Sequence, residues 1–71
     1  MSWFGNEMLP ALEDVYLALG KEAFNNPILV LIELKARDYE DIITYVTGKG
    51  QGSFQSGWSK KFVASVTDWF N

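Results

Sequence analysis

The chain holds no histidine and no cysteine, so the side chains available for chemistry are carboxylates, lysines, tyrosines and serines. That inventory removes the common nucleophile–base pairs and most transition-metal sites. Asp38, Glu40 and Asp41 form the densest acidic cluster. A calcium loop sets acids at alternate positions around a glycine turn with a distal glutamate, and that frame is absent. A glycosidase pair faces its two carboxylates across a substrate cleft, which a chain of 71 residues has little wall to build. The cluster reads as a solvated helix face, with Arg37 paired to Asp41 one turn further on.

Two other groupings invite a chemical reading. Gly48, Gly50 and Gly52 surround Lys49, as if to cradle a phosphate. A phosphate loop needs GxxxxGK[ST] between a strand and a helix; here the lysine is misplaced and Ser53 does not follow it. Trp58, Lys60, Lys61 and Phe62 make a small basic-aromatic set, with Lys49 upstream. Three lysines in a chain of net charge −3 supply few phosphate contacts. No catalytic residue, cofactor site, metal site or nucleic-acid partner is therefore expected.

The elements that carry these residues read as helices. Asn6 suits an N-cap, Glu7 favours the positive end, and Pro10 is tolerated in a first turn. Met8, Leu12, Val15, Leu19 and Ala23 then mark one face, widened by Leu9 and Tyr16. Asn25, Asn26 and Pro27 break that helix and start the next, with Asn26 as cap and Pro27 as first helical residue. Leu29, Ile32, Ala36, Tyr39, Ile43 and Val46 recur at steps of three and four, which predicts one long helix over 27–47. The competing reading is a strand over 28–34, since Ile28, Val30 and Ile32 are β-branched. Residues 48–57, with four glycines, read as a flexible connector that Gly48 opens as a helix C-cap. Phe54 either tucks over the end of the bundle or is displayed to a partner. A last helix runs from about Gly57 or Trp58 to Trp69, with Phe62, Val66 and Trp69 on one face and Val63 and Phe70 beside it.

The expected fold is thus a single all-α domain over 1–71 with three helices near 7–24, 27–47 and 57–70; the alternative is α+β with a strand at 28–34. Small domains bury a limited share of their surface and often rely on disulfides, metals or oligomerisation. With 48% hydrophobic residues, 15% aromatics and no cysteine, the routes left open are association or an unusually well packed core. The charge is also uneven: residues 1–47 hold eight acids and three bases, residues 48–71 three bases and one acid. This reads as a few solvated side chains per face; the competing reading is head-to-tail or antiparallel pairing of chains, which would use that asymmetry.

These features predict a non-enzymatic protein–protein interaction module. It either self-associates as a homo-oligomer or docks on a larger partner as an adaptor, inhibitor or assembly factor, roles common among small bacterial and phage accessory proteins. Ile32, Tyr39 and Ile43 are assigned to the core. Leu31, Leu34, Ile42 and Tyr45 are assigned to the partner surface, with Trp3, Phe4 and Phe54 as further anchors, because large aromatics concentrate binding energy. A membrane-surface protein is the alternative, resting on the terminal pairs Trp3 and Phe4, and Trp69 and Phe70, with Lys60 and Lys61 alongside; the acidic remainder opposes anionic lipids. No basic, apolar leader opens the chain, and the cytoplasm is the expected compartment.

Overall fold

The protein is described over residues 2–70 by a computed structural model, and its first irregularity traces to Pro10. The chain enters through a wide π-turn, Phe4–Met8, in which the Leu9 N–H donates to the Phe4 carbonyl five residues back. Proline has no N–H, and its ring crowds the carbonyl four residues before it. Widening the backbone just ahead of Pro10 relieves that crowding. The helix therefore begins before Asn6. Ser2, through its Oγ, accepts the Gly5 N–H at 3.2 Å and takes the capping role expected of Asn6.

Helix α1, Leu9–Leu19, buries Leu12 and Val15, with Met8 just ahead of it. The expected run to Phe24 is interrupted at Gly20, whose φ of +90° only glycine adopts at little strain. After the bend, the short α2, Lys21–Phe24, points Phe24 into the interior. The next start follows expectation. Asn26 precedes α3, Pro27–Ala36, and its Oδ1 accepts from the N–H groups of Ile28 at 3.0 Å and Leu29 at 3.4 Å.

The single helix expected over 27–47 is two. Asp38 adopts φ +62°, in the left-handed region. The Tyr39 N–H bonds the Leu34 carbonyl at 2.9 Å and the Asp38 N–H bonds that of Lys35 at 3.1 Å. This paired closure satisfies two orphan carbonyls and sets Tyr39 beside Leu34. Helix α4, Glu40–Lys49, then starts afresh from Tyr39, whose backbone is non-helical. The strand alternative fails as well: the described residues contain no strand, and 28–34 is helical.

Gly48 lies inside α4 rather than ending it. The stop comes at Gln51, φ +54°, with Gly52 donating to Thr47 and Gln51 to Gly48, both at 3.3 Å. The supposed flexible connector then folds into α5, Phe54–Gly57, capped by Ser53 Oγ on the Ser56 N–H at 3.0 Å. Its glycines serve close approach. A Cβ on Gly57 would run into the Val46 carbonyl, and one on Gly50 into the Gly57 backbone. Ser59 caps the last helix, α6, Lys60–Phe70, through the Phe62 N–H at 3.1 Å.

The core gathers one or two residues from every element: Met8, Leu12 and Val15; Phe24; Val30 and Leu34; Ile42 and Val46; Phe54 and Trp58; Val63 and Val66. An aromatic chain runs through it, with Phe24 edge-on to Trp58 at 5.0 Å and Phe54 stacked on Trp58 at 5.6 Å. The architecture is a small all-helical domain, more finely segmented than a three-helix bundle.

Candidate functional site

The residues with chemical potential are dispersed. Asp38, Glu40 and Asp41 sit at the turn into α4, and no group of three acids among the described residues is placed to hold a metal ion. Arg37 does not reach Asp41. Its Nε pairs with Glu33 Oε2 at 2.7 Å, one turn back on α3. The left-handed Asp38 breaks the helical register between Arg37 and Asp41, so spacing alone no longer brings them together. That hydrogen bond from Arg37 to Glu33 holds the guanidinium above its ordinary pKa. In the basic-aromatic set Trp58 is buried, which leaves Lys60 and Lys61 exposed without a displayed indole between them. The glycine segment around Lys49 leads into four residues of α5 that Ser53 already caps.

The expected contact residues divide. Leu34, Ile42 and Phe54 lie in this chain's own interior, so their assignment to a partner surface is corrected. Phe54 tucks in because α5 folds it over Trp58. Leu31, Tyr45, Trp3 and Phe4 are half-buried against the core. Trp3 and Phe4 each rest on Tyr45 with ring centroids 5.7 Å apart, and Phe4 meets Trp69 edge-on at 4.7 Å. The two chain ends thus pack together, although Trp69 stays 57% exposed. The helical spacing places it in the buried stripe of α6, but Val63 and Val66 point inward instead.

The missed surface is on α3. Ile28 and Ile32 are each 59% exposed and Leu29 is 44% exposed, whereas Val30 and Leu34 are fully buried. Ile32 is thus outside the core to which the stripe assigns it; Tyr39 and Ile43, assigned with it, are half-buried. Ile28, Ile32 and the exposed Ala36 form one row at spacing four along the outward face, with Leu29 beside it. The signal was present in the sequence: 28–34 is apolar on every side but for Glu33. A helix of that kind is covered on more than one face when its surroundings are complete. Leu17, 72% exposed on α1, belongs to no such row.

A second surface lies across α4. A groove of about 450 Å³ is lined by Lys49, Lys61, Tyr45, Phe4 and Trp69 among others, and by no carboxylate. Another of about 540 Å³ is lined by Glu7, Asp14, Asp38, Glu40 and Asp41, and by no lysine or arginine. Trp3 lines the acidic groove, Phe4 lines the basic one, and both rings contact Tyr45. Lys49 Nζ sits 5.8 Å from the centre of the Tyr45 ring. Among the described residues neither Lys49 nor Asp41 has an ion-pair partner. No helix among the described residues is long and apolar enough to cross a membrane.

No family model matches this chain, and no curated protein or solved structure matches it either.

Proposed function

We propose that this chain is a non-enzymatic protein–protein interaction module of the cytoplasm, self-associating or docking on a larger protein as an adaptor, inhibitor or assembly factor. The observation that carries the reading is the outward face of α3, where Ile28, Leu29 and Ile32 stand in solvent although the opposite face already fills the core. Burying a fully exposed side chain of this kind gains about 1.5–3 kcal/mol. With Ile28 and Ile32 59% exposed and Leu29 44% exposed, covering what remains gains roughly half of that for each. Covering three adjacent ones on a rigid helix is a sizeable incentive to bind. A contiguous exposed apolar patch marks an interaction surface more often than scattered single residues do.

The membrane-surface reading has less support. It rests on Trp3 and Phe4, Trp69 and Phe70, with Lys60 and Lys61 alongside; of the four aromatics Trp3 and Phe4 pack on Tyr45, and Trp69 is 57% exposed.

A photoreactive amino acid placed at Ile32 tests the proposal in the cells that produce the protein. The expected result is a discrete covalent adduct, either with itself or with one other protein. The same group at Leu17, exposed but isolated, serves as the control and should give none. Uncrosslinked protein alone from both positions, or the same smear of adducts from both, would overturn the reading.

A further inference from the structure

We propose that α4 pairs with α4 of a second copy of this chain, antiparallel about a two-fold axis at Tyr45, so that Asp41 of each protomer meets Lys49 of the other. This surface is separate from α3 and does not depend on the reading given for that face.

Asp41, Tyr45 and Lys49 follow one another at spacing four on α4, so they form a single row up one helix face. Over eight residues the row spans about 12 Å. Asp41 and Lys49 are exposed, and Tyr45 is half-buried between them. Acid, aromatic and base in that order are self-complementary only when the second row runs the opposite way. Antiparallel pairing then sets each carboxylate against an ammonium, whereas parallel pairing sets like charges together. The two helix dipoles are also antiparallel, which is their favourable arrangement.

The surroundings repeat the pattern. The acidic groove lies at the Asp41 end and the basic groove at the Lys49 end. The same two-fold rotation therefore brings the carboxylates of one protomer towards Lys49 and Lys61 of its partner. An isologous contact needs just this kind of patch, in which each half complements the other. Thr44 and Gly48 flank the row, both exposed, and the space above Gly48 is open, so the helices can approach closely. Exposed ion pairs are individually weak and screened by salt. The dimer is consequently weak and salt-sensitive.

The test is sedimentation equilibrium at low ionic strength on the parent, on Asp41→Lys, on Lys49→Glu and on an equimolar mixture of the two variants, with circular dichroism on each. The parent should dimerise at high concentration, and about tenfold more weakly once salt is raised well above physiological. Each single variant sets like charges across the axis and should lose about tenfold or more in association. The mixture should regain it. In the mixed dimer the introduced ammonium of one chain faces the introduced carboxylate of the other, and the remaining Asp41 faces the remaining Lys49. A parent that stays monomeric to millimolar concentration overturns the proposal. So do folded single variants that dimerise like the parent, or a mixture no stronger than either variant. A parent dimer that also survives Ile28→Glu with Ile32→Glu keeps the α4 contact distinct from the α3 face.

Discussion

The Trp58 indole N–H donates to the Phe24 carbonyl at 2.7 Å, while the two rings meet edge to face with centroids 5.0 Å apart. The bond joins positions 34 residues apart and is wholly buried. It ties the end of α2 to the link between α5 and α6. Two elements of four residues each would not hold a helical shape alone; this contact adds to the Ser53 cap and the Phe54–Trp58 stack that hold them.

Replacing Trp58 with Phe should therefore cost more than lost area. The substitution leaves the Phe24 carbonyl buried without that donor, about 1–3 kcal/mol, and opens a small cavity. A total loss of about 2–4 kcal/mol is expected by chemical denaturation. Trp69→Phe, at an exposed ring, should stay within about 1 kcal/mol.

The glycines of 48–57 should separate sharply. Gly57→Ala drives a Cβ into the Val46 carbonyl, a clash between two backbones that overpacking costs of about 1–3 kcal/mol understate. It should lower the melting temperature strongly or prevent folding. Gly48→Ala adds a methyl into open space within α4 and should stabilise by about 0.5–1 kcal/mol. Parallel thermal melts decide both.

Asp38 holds a left-handed backbone that glycine adopts freely. Asp38→Gly should raise stability by about 0.5–1 kcal/mol, and Asp38→Val should lower it by at least about 1 kcal/mol. If the two variants melt alike, the turn between α3 and α4 is not closed as described.

The two faces of α3 predict unequal responses to truncation. Leu34→Ala, fully buried, should cost about 2–5 kcal/mol. Ile32→Ala, mostly in solvent, should cost less than about 1 kcal/mol for the isolated chain. Denaturant titration of dilute protein reads the difference without interference from association.

Features that act within a single turn were legible in the chain alone. Asn26 and Pro27 start α3 because a side-chain cap and a preset φ need nothing from elsewhere. The face of Met8, Leu12 and Val15 is legible because α1 runs without a break through Leu12 and Val15, with Met8 closing the turn just ahead of it. The helical class followed from the same periodicity. Packing settled the rest. The stripe over 28–47 assumed one helical phase, and Asp38 resets it, so Leu34 and Ile42 moved inward and Ile32 outward. A left-handed aspartate is strained in isolation and is held by closure of Tyr39 onto Leu34, a packing event. Composition read the glycines of 48–57 as freedom. Gly50 and Gly57 instead mark where two helix backbones touch. Whether a missing Cβ is slack or contact depends on what stands opposite, and that is set by the folded chain.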